Sequence, residues 1–174
     1  YVIGINTGCS AVIPYKKLTI EIHRQLIQSL MLWPQVAVVL LGGAEDTHRN
    51  HLIGQDLPVH QSSTELGLRD GLVSVAGCDA VITGDSLGMH LAISQTKWTV
   101  VWFGPTCAHE IDLFDNGVKI HSHASCSPCW KRTCQKEVMC YDQVELNDIL
   151  LGLEKGIKIW QRTSLSKQPF SEIY

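Results

Sequence analysis

Val36-Ala37-Val38-Val39-Leu40-Leu41-Gly42-Gly43 places six apolar residues in a row and stops them with two glycines. A strand with one wet face alternates apolar and polar side chains. An unbroken apolar run instead marks a strand covered on both faces, the situation of a parallel sheet with helices on each side. Upstream, residues 2–6 read as a strand closed by Thr7-Gly8. Residues 19–32 carry Ile20, Ile22, Leu26, Ile27 and Leu30 at helical spacing behind Thr19, a suitable N-cap. Downstream, a polar helix starts near Glu45, residues 58–60 form a short strand, and residues 66–76 a helix ended by Gly77. Strands at 80–83, 98–103 and 118–121, with helices at 87–94 and 144–155, complete the pattern. Strand and helix alternating along the whole chain predict an α/β fold, a doubly wound parallel sheet with helices on both faces. The segment 121–141 does not fit and reads as a loop excursion, and the residues after Trp160 read as a polar tail.

The chain has 174 residues, 45% hydrophobic and 18% charged, with a net charge of -3. That suits one domain and excludes disordered and fibrous classes. A near-neutral balance gives no general attraction to nucleic acid or anionic lipid. No apolar run approaches the roughly 18 residues of a membrane span, and no leader pattern opens the chain. Tyr1 leads directly into a strand, which is expected of a piece of a longer protein. Four of the seven cysteines, Cys126, Cys129, Cys134 and Cys140, fall within fifteen residues. Without a leader the expected compartment is reducing, which favours thiols or a metal over disulfides.

In such a sheet, ligands bind outside the carboxyl ends of the strands, where helix N-termini offer free N–H groups. Four turns on that edge are small or polar: Asn6-Thr7-Gly8, Gly42-Gly43-Ala44-Glu45, residues 83–90, and Phe103-Gly104-Pro105-Thr106. The third is the richest. Gly84 and Gly88 admit a ligand to the backbone, Ser86 can cap the helix or bind an anion, Asp85 is a carboxylate or a cap, and His90 lies one helical turn after Ser86. Lys16 and Lys17 sit just before a helix, where the dipole disfavours them, so a phosphate held over the sheet edge would give them a reason. No Gly-x-Gly-x-x-Gly follows the first strand, and Ser86 is not in a Gly-x-Ser-x-Gly elbow, which excludes two common chemistries.

These stretches, with Pro14-Tyr15-Lys16-Lys17-Leu18, Ala76-Gly77-Cys78-Asp79 and the Asp85-Ser86-x-x-x-His90 helix start, resemble glycosyltransferase family 9, the ADP-heptose:lipopolysaccharide heptosyltransferases and their relatives. The resemblance runs from residue 1 to about 155 and corresponds to the C-terminal half of those enzymes. It implies a Rossmann-like domain, residues 1–160, that forms the donor half of a GT-B glycosyltransferase, with a tail at 161–174 and the N-terminal acceptor domain absent. By the same resemblance Thr7, Gly8 and Lys16 bind the diphosphate, Glu45 the ribose, and the backbone at Leu66 the base. Asp85 binds sugar hydroxyls, and Ser86, Leu87, Gly88 and His90 complete the phosphate end. Leu87 stands where many members have glycine.

The implied reaction is inverting and metal-independent, with Lys16 stabilising the leaving diphosphate and the base supplied by the missing domain. The implied donor is ADP-heptose or a related nucleotide sugar. The acceptor is a lipopolysaccharide core or other glycan, reached through the missing domain. The implied location is the cytoplasm, at the inner face of the bacterial inner membrane, with peripheral contact and no nucleic acid. Two rival functions are a nucleotide-sugar epimerase-like domain and a metal-dependent interaction module built on the cysteines. The cysteine spacing C-x2-C-x4-C-x5-C has enough thiols for a structural zinc at Cys126, Cys129, Cys134 and Cys140, and equally allows disulfides or free thiols.

Overall fold

The apolar run at 36–41 forms β2 (Ala37–Leu41), and its two faces do separate tasks. Val38 and Leu40 pack with Ile3, Ile5, Ala80, Ile82, Val100 and Trp102 on one side of the sheet. Val39 and Leu41 meet Val75, Cys78, Val81 and Ala92 on the other. This period of two, with apolar partners on both faces, is what the unbroken run predicted.

The computed structural model describes residues 1–166. The other strands are β1 (Val2–Asn6), β3 (His60–Gln61), β4 (Ala80–Gly84), β5 (Trp98–Phe103) and β6 (Gly117–His121). All pair in parallel, in the order β3-β2-β1-β4-β5-β6. The order reverses between β1 and β4, so the chain carries the 3-2-1-4-5-6 arrangement with its switch point there. The helices are α1 (Ile20–Leu30), α2 (Thr47–Gly54), α3 (Leu68–Ala76), α4 (Leu87–Ser94) and α5 (Leu146–Ser166). Leu26, Ile27 and Leu30 of α1 share the larger core with Ile149, Leu153 and Ile157 of α5. Helices α3 and α4 cover the opposite face through Val75 and Ala92. Among the described residues no helix is long and apolar enough to cross a membrane.

Several element ends differ from the sequence reading, among them β3, which is His60–Gln61 and not 58–60. Glu45 lies in a 3-10 turn, Ala44–Asp46, and the helix proper begins at Thr47. Helix α3 starts at Leu68, because Gly67 at φ 83° turns the chain out of the helical region. Helix α5 continues well past Lys155 to Ser166, into the expected tail, whose residues 167–174 lie outside the described residues. A Cβ on Gly156 would come within 2.5 Å of Trp98, so glycine there lets the helix lie against β5.

Candidate functional site

The ends of β1, β2 and β4 enclose a cavity of about 310 Å³ at the switch point. Asn6 ties two of these ends together. Its Nδ2 lies 3.0 Å from Gly8 O and 3.0 Å from Ser86 Oγ. Ser86 Oγ also meets Thr83 Oγ1 at 3.0 Å. With its hydroxyl so engaged, Ser86 makes no side-chain cap on α4. The first-turn N–H groups of α4, at Leu87 and Gly88, have no intrahelical acceptor and border the cavity.

Glycine is required here, at one place by a neighbouring carboxylate and at another by a neighbouring backbone. A Cβ on Gly8 would fall 1.8 Å from Asp46 Oδ2, and one on Gly84 would fall 2.3 Å from Lys16 O. The second contact carries the Pro14–Lys16 turn onto the end of β4. Lys16 Nζ consequently stands 3.5 Å from Asp85 Oδ2, both side chains being largely covered. The next lysine turns to another carboxylate, with Lys17 Nζ 3.8 Å from Asp46 Oδ1.

Of the residues expected at the site, Gly8, Glu45, Ser86, Leu87 and Gly88 line the cavity. Lys16 and Asp85 form their pair outside its lining. Thr7 is 1% exposed, and its Oγ1 donates to Asn50 Oδ1 at 2.5 Å, so its hydroxyl serves the fold. Leu66 is 69% exposed and does not line the cavity, although Glu65, Gly67 and Leu68 do. His90 is exposed on α4 and does not reach the cavity.

Asp46 was not anticipated. It is 3% exposed, lines the cavity and accepts from Gly43 N at 3.1 Å through Oδ2. Its Oδ1 has no hydrogen-bond partner. Burial pushes its carboxyl above the usual range, against the opposing pull of the Gly43 N–H and of Lys17. Its Oδ1 is buried behind the cavity wall, and the nearest cation to it is Lys17 Nζ at 3.8 Å. The only trace of Asp46 in the sequence was its place beside Glu45.

The segment from Ser122 to Met139 has no regular structure and crosses the carboxyl edge. Cys129 N and Trp130 N donate to Pro105 O at 3.1 and 2.8 Å, and Cys134 N donates to Tyr15 Oη at 3.2 Å. All four clustered cysteines line one small pocket of about 20 Å³ with Tyr15, Lys131 and Lys136. They are free thiols. Among the described residues no three His, Cys, Asp or Glu side chains form a set that could hold a metal ion. Of the zinc, disulfides and free thiols that the spacing equally allowed, the structure holds thiols around one pocket. Lys136 beside Cys126 lowers that thiol below its ordinary range, while burial and then Cys129 push Cys140 up to about 11.

The chain resembles known proteins over most of its length. Two Lipooligosaccharide heptosyltransferase 2 proteins of Campylobacter jejuni match it, one 30% identical over 82 residues and the other 26% identical over 104. These matches take in 46% and 58% of this chain but 26% and 33% of the relatives. Among solved structures, a glycosyl transferase family 9 protein from Veillonella parvula aligns at TM-score 0.71 and 18% identity, over 90% of this chain and 46% of its own. An E. coli heptosyltransferase solved with ADP aligns at 0.67 and 16%, over 90% and 44%. E. coli ADP-heptose lps heptosyltransferase II aligns at 0.55 and 26%, over 61% and 33%. The chain thus spans less than half the length of each. The model of Glycosyltransferase family 9 (heptosyltransferase) matches residues 2–139, from β1 through the cysteine-bearing segment, and the chain belongs to that family.

Proposed function

We propose that the chain is the donor-binding half of an inverting, metal-independent glycosyltransferase that uses ADP-heptose or a related nucleotide sugar in lipopolysaccharide core synthesis. The observation that carries this reading is the cavity at the switch point, which combines close backbone at Gly8, the first turn of α4 and the carboxylates of Glu45 and Asp46. The nucleoside lies between Glu45 and the start of α3. The diphosphate meets the amides of Gly8, Leu87 and Gly88, with Lys16 reaching across from its Asp85 pair. Asp85 is then left to accept from sugar hydroxyls. The ADP bound to the structurally similar E. coli enzyme is the ligand chemistry carried over here.

In the reaction an acceptor hydroxyl attacks the anomeric carbon from the face opposite the diphosphate. The carbon–oxygen bond to the diphosphate breaks, and a base takes the hydroxyl proton. Negative charge grows on the leaving diphosphate, and a preorganised donor aimed at such charge is worth roughly 10²–10³ in rate. Lys16 and the α4 amides supply that positive potential. The base and the acceptor site belong to an N-terminal half, and that half provides the peripheral contact with the inner face of the inner membrane, where the acceptor resides. Calorimetry with ADP tests the reading. The chain binds ADP, and Lys16→Ala weakens binding by about tenfold, the loss of one charge-assisted contact. Absence of binding by the unaltered chain rejects it.

A further inference from the structure

We propose that Cys126, Cys129, Cys134 and Cys140 form a peroxide-sensitive thiol switch, in which Cys126 is oxidised and bridges to a neighbouring thiol, displacing the Tyr15–Lys16 turn. Four thiols face one pocket of about 20 Å³, so oxidation of one leaves others within reach of the same space. Cys126 is partly exposed and lines the pocket together with Lys131 and Lys136, giving an oxidant an open target beside two cations. Cys140 lies deeper, its Sγ 2.8 Å from where a Cβ on Gly104 would stand.

The pocket is coupled to the candidate site through short links. Tyr15 forms part of the pocket wall, and its hydroxyl accepts from Cys134 N at 3.2 Å. Lys16 follows directly and pairs with Asp85 at 3.5 Å. On the other side, Ser127 Oγ donates to Gly104 O at 2.5 Å, and Cys129 and Trp130 hold Pro105 O. Drawing two of these sulfurs to the roughly 2.05 Å of a disulfide must move a strap that is hydrogen-bonded at both ends.

The chemistry balances with hydrogen peroxide as oxidant. The Cys126 sulfur attacks one peroxide oxygen, the O–O bond breaks, and sulfenic acid and water form. A second thiol then attacks that sulfur and releases a second water, so the two thiols have given two electrons to the peroxide. A dithiol reverses the step.

The functional consequence rests on the donor-binding reading above, but the switch itself does not. The chain is compared after dithiothreitol and after hydrogen peroxide, by alkylation with peptide mapping, by amide shifts at Tyr15 and Lys16, and by ADP titration. Peroxide is expected to give an intrachain disulfide containing Cys126, to shift both amides and to weaken ADP binding about tenfold, all reversed by dithiothreitol. Cys126→Ser should bind ADP like the reduced chain and ignore peroxide. The switch is overturned by a bridge that omits Cys126 or by no bridge at all. Unmoved Tyr15 and Lys16 amides overturn it too, as does a Cys126→Ser chain that still loses affinity, which would point to Cys9 in the cavity. One zinc per purified chain shielding all four thiols also overturns it. If the reduced chain fails to bind ADP, the donor reading falls, and the mapping and amide shifts still decide the switch.

Discussion

Asp85 and Lys16 stand 3.5 Å apart on two different turns, and on the proposed donor reading one serves the sugar end and the other the phosphate end. Asp85→Asn keeps the shape of the side chain and removes its charge as an acceptor. Binding of the nucleotide sugar should weaken by about tenfold, the value of one charge-assisted hydrogen bond, while ADP, which lacks the sugar, binds nearly as before. Competitive titration of the two ligands checks this, and equal loss of both would make Asp85 a structural cap. At this scale legibility was uneven. Gly8, Ser86 and Gly88 were readable because a strand-to-helix turn in a parallel sheet has few ways to be built. Asp46 was not, because nothing in Glu45-Asp46 distinguishes the exposed carboxylate from the buried one. The partner of the Thr7 hydroxyl, Asn50, lies 43 residues away in the chain. Contacts of that separation are set by the helix packing and leave no local signal.

Helix α1 carries a titratable group that the hydrophobic pattern conceals. His23 is buried against Arg49, with Nδ1 2.8 Å from Thr19 O, and burial lowers its pKa to about 4 from 6.5. The folded chain keeps the ring neutral, whereas the unfolded chain binds a proton below 6.5. The unfolded state therefore holds more protons between pH 6.5 and 4, and stability must fall as pH drops through that window. At ~1.4 kcal/mol per unit the loss approaches about 3 kcal/mol. Urea denaturation at pH 7 and pH 4.5 should show it, and His23→Gln should flatten the dependence. A slope of the opposite sign would mean the ring is charged in the fold. The elements were legible where period decided them: β2, β4 and β5 fall on apolar runs and α1 on a helical stripe, whereas β3, His60–Gln61, is a short exposed pair with no such pattern. Their ends were less so. Helix α5 runs on because Ile149, Leu153 and Ile157 continue one buried stripe across Gly152 and Gly156, glycines chosen for proximity to β5.

On the scale of the molecule, two cores on opposite faces of one parallel sheet give a domain large enough to stand without a partner. The order of its strands puts the cavity at the switch point, and family membership agrees with that architecture. What the domain lacks, on the reading proposed here, is an acceptor site, a base within hydrogen-bond reach and a second wall to exclude water. The chain mixed with ADP-heptose and a lipopolysaccharide-core acceptor should therefore transfer no sugar. Turnover near 1 per second or faster, the range of ordinary enzymes, would put the base in this half. The central claim is that a nucleoside diphosphate binds at the junction of β1, β2 and β4. Titration of the isotopically labelled chain with ADP, followed by amide shifts, tests it most directly. Saturable shifts are expected at Gly8, Gly43, Leu87 and Gly88. No shifts, or shifts confined to the groove between β6 and α5 around His121 and Lys155, would contradict it.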